Sequence, residues 1–171
     1  MENFTNETIN TRQLPRFEEV VYTSLHKNYW KVVLVNFGIF GFILGIALVL
    51  GLLFNEVMKP NQTLFIVLYV VVLLVILFFL RIGFKKKGYA FRNHDVLYRN
   101  GVIATNSMVI PYNRVQHVAL HEAFISRFFG LAKIEIFTAG GNSSDLEIPG
   151  IPKEEAENIK QLLMGKIQKQ L

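Results

Sequence analysis

Residues 64–80 read LFIVLYVVVLLVILFFL, seventeen positions without a charge, and the next seven, RIGFKKK, supply four cations. No other feature restricts so strongly what this chain can fold into. An α-helix rises about 1.5 Å per residue, so the run spans roughly 25 Å, at the short end of what crosses the hydrocarbon core of a bilayer. Ile82 and Phe84 lengthen the apolar face if the Arg81 side chain snorkels to the headgroups, which extends the expected span to residues 64–82. Arg81, Lys85, Lys86 and Lys87 then mark the cytoplasmic side and are expected to touch the membrane surface, where anionic headgroups attract them.

A second apolar block, residues 32–54, holds Asn36 as its one strongly polar member. At about 34 Å it spans with some tilt. It starts too far into the chain, runs too long and lacks the small-residue cleavage site that a signal peptide needs. Gly38, Gly41 and Gly45 lie close to one helical face, and Gly41 and Gly45 form a GxxxG pair. Small residues let a second helix approach closely, although glycine is also common in membrane helices generally, so both explanations stand. The connection, NEVMKPNQT, suits a tight turn between antiparallel spans; its Asn61-Gln62-Thr63 sequon abuts the membrane and carries no weight. Arg16, Lys27 and Lys31 precede the first span, four cations follow the second, and the connection has one lysine. That asymmetry predicts a multi-pass membrane protein with both termini cytoplasmic.

Upstream, residues 1–13 are polar and read as a flexible tail. Phe17, Val20, Val21, Leu25 and Tyr29 then recur at helical spacing, which predicts a helix over residues 16–31. It is either interfacial, running into the span behind a Tyr29-Trp30 aromatic belt, or an ordinary helix packed on a soluble domain. The expected organisation is a tail (1–13), an interfacial helix with a transmembrane hairpin (14–87), and a cytoplasmic domain (88–171).

From Gly88 the pattern turns to short β segments. Strands are expected at 89–92, 96–99, 102–105, 108–111, 115–121, 133–138 and 146–148, with a hairpin at Asn100-Gly101, a turn at 112–114 and another hairpin at 140–142. Residues 123–129 suit a helical turn. Residues 152–171 open with Pro152 and early glutamates, close with lysines, and place Ala156, Ile159, Leu162, Leu163 and Ile167 on one face, which predicts an amphipathic helix. The fold class is therefore a two-helix transmembrane hairpin followed by a mainly-β, half-open barrel that a C-terminal α-helix covers.

A formal net charge of +5 invites a nucleic-acid partner, so its location matters. Residues 88–171 carry nine basic against eight acidic side chains, and residues 1–31 balance. The excess is the knot at residues 81–87. A phosphate-binding domain needs a basic stripe of its own, so no nucleic acid is expected. The chain has no cysteine, which excludes disulfides, cysteine metal sites and thiol chemistry.

No constellation for catalysis stands out. His117, His121 and Glu122 are the best metal candidates, but on a strand two rings four residues apart sit some 13 Å from each other, too far to share one ion. Ser126, Ser143 and Ser144 lack a nucleophile-elbow context, and the glycines sit in hairpins, not in a strand-to-helix phosphate loop. Arg92 and Arg99 face Asp95 across a short turn, too sparse a cluster for a phosphoinositide site. Neither catalytic residues, nor a metal site, nor a cofactor is expected.

Several strings, in order, carry a resemblance: Arg99-Asn100-Gly101-Val102, Ile110-Pro111, Arg114-Val115-Gln116-His117-Val118, Arg127-Phe128-Phe129-Gly130-Leu131-Ala132, Thr138-Ala139-Gly140-Gly141 and Ile148-Pro149-Gly150. With the two preceding spans, they resemble the bacterial pleckstrin-homology-like (PH-like) domains of the YdbS-like membrane protein family. The resemblance implies a PH-like barrel on the cytoplasmic face of a bacterial plasma membrane and no catalytic residues. The expected function is a non-enzymatic, membrane-anchored module that binds a protein partner or copies of itself. The alternative is a sensor of anionic lipid or an envelope-protection protein; a membrane enzyme or transporter subunit ranks last, because neither span carries an ionisable residue inside the membrane, Arg81 lying at its boundary.

Overall fold

The computed structural model describes residues 20–56, 58–139 and 145–168, with side chains to 166. Two long helices come first. α1 (Lys27–Phe54) begins where His26, in extended conformation, accepts the Asn28 N–H on Nδ1 at 3.2 Å. A 3₁₀ turn at Lys59–Asn61 leads into α2 (Gln62–Lys86). Both helices are long and apolar enough to cross a membrane. They pack antiparallel, joined by the short connection that the Pro60-Asn61 pair predicts.

One residue, Lys87, separates α2 from β2 (Gly88–Phe91). The entry to α1 is equally direct. Thr23–Ser24 form a short strand, β1, paired antiparallel with β2 in the register Thr23↔Tyr89 and Ser24↔Gly88. The expected helix over residues 16–31 is thus corrected at residues 20–26, which are not helical, whereas residues 27–31 are helical as the first turns of α1. Pairing with the edge of β2 satisfies backbone groups that a helix would leave open, and Leu25 enters the domain core instead of lipid. Residues 16–19, like the 1–13 tail, lie outside the described residues. Both long helices therefore leave the domain from neighbouring strands of one sheet.

That sheet continues through β3 (Asp95–Asn100) and β4 (Asn106–Pro111), in the order β1-β2-β3-β4. Asn100 pairs with Asn106, so residues 101–105 form a loop and not the strand expected at 102–105. Gly101 makes the loop possible: its φ is +128°, and a Cβ there would collide with the Ala104 carbonyl. A 3₁₀ turn, Tyr112–Arg114, carries the chain to the second sheet, β5 (Val115–His121), β6 (Leu131–Thr138) and β7 (Leu146–Pro152), in that order. α3 (Phe124–Phe128) is the helical turn between β5 and β6. The hairpin residues 140–142 lie outside the described residues.

The two sheets face each other over Val96, Tyr98, Ile110, Val118, Ile134, Ile136 and Ile148. Among the described residues no ladder joins one sheet to the other, so the barrel is not closed and a seam stays open between β4 and β7. Tyr29 of α1 and Lys87 reach into that seam, where a closing strand would otherwise run. α4 (Lys153–Gln168) covers one end. Ala156 and Leu163 are fully buried and Ile159 packs beside them, but Leu162 is half-exposed, so the covering face is narrower than its apolar pattern implied. The side chain of Ile167 lies outside the described residues. Tyr89 donates to Glu155 at 2.9 Å, which ties α4 to β2; burial and the carboxylate keep that hydroxyl protonated.

Candidate functional site at the helix–domain junction

The four cations at residues 81–87 occupy four different settings. The Arg81 guanidinium lies 4.7 Å from the Trp30 ring centroid and 5.9 Å from that of Phe84. Lys85 is exposed, with no partner among the described residues. Lys86 donates to the Val102 carbonyl at 2.7 Å and so holds the β3–β4 loop against the end of α2. Val102 also packs over Gly83, where a Cβ would come within 3.1 Å of it. Lys87 is half-buried in the seam, with no hydrogen bond or ion pair among the described residues. Burial alone holds its pKa below that of an ordinary lysine. Two of the four are thus spent on the protein itself, a division that charge spacing does not reveal.

Tyr29 and Trp30 do not form a belt together. Trp30 packs on Phe84 at 5.6 Å, whereas Tyr29 turns into the domain, beneath Gly150. The His26 N–H donates to the Gly150 carbonyl at 3.1 Å, so the start of α1 is fastened to β7 as well as to β2.

Gly41 and Gly45 face α2 of the same chain. Tyr69 inserts between the helices and donates to the Gly41 carbonyl at 2.8 Å, and a Cβ on Gly45 would meet the Tyr69 oxygen at 3.1 Å. Gly38 faces open space, and Asn36 is exposed. The three glycines are therefore not one surface: two seat a tyrosine inside the hairpin, and the third does not contribute. Tyr69→Phe should weaken the helix pair by about 0.5–1.5 kcal/mol, the net range for a single side-chain hydrogen bond. Thermal unfolding in detergent, followed through Trp30 fluorescence, measures it.

Two apolar projections flank the helices, and sequence reading missed both. On one side α3 lies against α1 and presents Phe124 and Phe128, 78% and 75% exposed, edge to face at 5.1 Å. On the other, the loop that Lys86 holds carries Ile103, 90% exposed. Their positions beside the helix ends are tertiary facts; in sequence, Ile103 sat inside an expected strand.

The remaining expected residues are accounted for by ordinary packing. His117 stacks on Phe137 at 4.1 Å on β5, and the described residues hold no group of three or more His, Asp or Glu that could bind a metal. Arg92 is gripped by both carboxylate oxygens of Asp95, at 2.6 and 2.5 Å, and Arg99 lies over the Tyr22 ring at 4.4 Å. The first hairpin therefore offers no loose cationic cluster.

Two antiparallel sheets with a C-terminal helix across one end define a PH-like domain, a fold whose members are generally non-catalytic binding modules. The chain belongs to the bacterial PH domain family, whose model matches residues 33–167, taking in α2 whole and α1 from Val33 onward. No curated protein and no solved structure matches it.

Proposed function

We propose that this chain is a non-enzymatic, membrane-anchored module of the YdbS-like kind. The hairpin crosses a bacterial plasma membrane, with both termini cytoplasmic, and the PH-like domain is pressed against the inner leaflet to meet a protein partner there. One observation carries the reading: the domain has no linker, and Ile103, Phe124 and Phe128 project beside the two points where the apolar helices enter it. Large exposed apolar side chains of this kind suit the headgroup boundary, where each phenylalanine gains about 1.5–3 kcal/mol on burial. Gly41 and Gly45 are occupied within the hairpin, so self-assembly has no support from them. A partner is better sought along β4 at the mouth of the seam, where Asn106 to Val109 are exposed.

The absence of native cysteine makes the test direct. Single cysteines at Ile103, Phe124 and Phe128 carry a nitroxide, in lipid nanodiscs, against one at Lys160 on α4. The expected result is that a lipid-soluble relaxant broadens the first three and leaves the fourth sharp. An impermeant thiol reagent should label a cysteine at Asn61 from outside intact cells. Four equally water-accessible labels, or no outside labelling at residue 61, would overturn the seated arrangement.

A second reading, lipid sensing, is favoured by the unpartnered Lys87 between two cavities.

A further inference from the structure

Two cavities meet at Lys87. The first, about 310 Å³, lies between the domain-proximal parts of α1 and α2; Val33, Ile76, Phe79, Leu80 and Phe84 make it almost wholly apolar. The second, about 500 Å³, is the open seam between the sheets, lined by polar groups that include Asn100, Asn106, Ser107, Lys133, Asp145 and Glu147. Tyr29 and Lys87 line both. Each volume falls within the range of about 300–1,000 Å³ typical of small-molecule sites. An apolar slot, a lone cation and a polar chamber thus follow one another along the axis of the hairpin.

The charges of the chamber narrow the ligand. Lys133 is held by Glu135 at 2.6 Å and Glu147 at 3.0 Å. Asp145 accepts from the Thr138 N–H at 2.7 Å and hydroxyl at 2.6 Å. Among the described residues, Lys87 is therefore the one cation lining either cavity without a carboxylate partner. One free ammonium matches one phosphate. Asp145 and Glu147 would repel the additional phosphates of a phosphoinositide, and with the side-chain oxygens of Asn100, Asn106 and Ser107 they offer acceptors to a group that donates. Tyr98, whose hydroxyl burial pushes up to about 12, stays protonated there.

We propose that the paired cavities hold one phospholipid of the adjoining leaflet, with an acyl chain in the slot between α1 and α2, its phosphodiester on Lys87 Nζ, and a hydrogen-bond-donating headgroup in the seam. Ethanolamine and glycerol headgroups share that chemistry. The site rests on the membrane-anchored reading above, since the slot opens beside helices that must lie in lipid. It lies in the seam next to the helices and not in the first hairpin, where Arg92 is already paired.

The test is native mass spectrometry of the full chain in detergent, titrated separately with phosphatidylethanolamine, phosphatidylglycerol, phosphatidylcholine and diacylglycerol. One retained molecule of the first or second is expected, the stronger arm identifying the headgroup. Phosphatidylcholine, which has no donor, and diacylglycerol, which has no phosphate, should bind at least tenfold more weakly. Lys87→Met should cost about tenfold, and Lys85→Met, with the same loss of charge, should cost nothing. Ile76→Trp, which fills the slot, should abolish retention even if Lys87→Met fails to fold. Equal loss from Lys85→Met, equal retention of diacylglycerol, or full retention by Ile76→Trp overturns the site. The nitroxide labels report separately: buried labels without selective retention reject this site alone, and water-exposed labels reject the anchored reading.

Discussion

Gly150→Ala should destabilise the domain by about 2–4 kcal/mol. Gly150 has φ +70°, where a side chain costs about 1–2 kcal/mol. A Cβ there would also sit 2.5 Å from Cγ and 2.7 Å from Cβ of Tyr29, and overpacking of that kind costs about 1–3 kcal/mol. The ring cannot simply swing aside, because it hangs from the first turn of α1, and the Gly150 carbonyl accepts the His26 N–H. The strain should be relieved by parting α1 from β7. In a chain of this length the loss corresponds to a fall in Tm of about 5–15 °C. Trp30, the only tryptophan, is one residue from the contact and reports it by fluorescence. Gly165→Ala is the control: nothing lies within 4 Å of its added carbon, and the helical position should gain about 0.5–1 kcal/mol.

The second large effect is expected at the far end of the domain. Leu163 is 1% exposed, on the face of α4 that covers the two sheets. Leu163→Ala removes buried carbon and leaves a cavity, a change that costs about 2–5 kcal/mol according to how far the surroundings collapse. The neighbouring Leu162 is 48% exposed, and its replacement by alanine should cost under about 1 kcal/mol. Hydrogen exchange separates the two outcomes. Leu163→Ala should speed exchange throughout β5–β7 while α1 and α2 keep their protection. Equal effects from both leucines would mean that α4 does not complete the core.

The long apolar runs needed no three-dimensional context to be read as helices, and strand alternation such as Ile134 and Ile136 against Glu135 and Phe137 located most of the second sheet. What stayed hidden depended on contacts distant in sequence. Thr23–Ser24 is two residues long, and it becomes a strand only because the edge of β2 lies alongside; the helical spacing of its neighbours pointed the other way. Residues 102–105 look like a strand, yet Lys86 and Gly83 hold them as a loop. Gly41 and Gly45 show that a close helix approach is possible but not which helix makes it, and Tyr69 supplied that. Lys85, Lys86 and Lys87 are chemically identical neighbours in the sequence. Only the fold exposes the first, binds the second to a carbonyl and desolvates the third.

The single residue between α2 and β2 makes the hairpin a keyed shaft. A helix turns about 100° per residue, so the length of α2 sets the compass bearing of the domain as well as its height. The second shaft, α1, enters through the neighbouring strand and prevents free rotation. A change of tilt imposed on the two helices therefore reaches the domain without slack. The free edge of β4 turns with it, so the tilt of the helix pair steers which way that edge points.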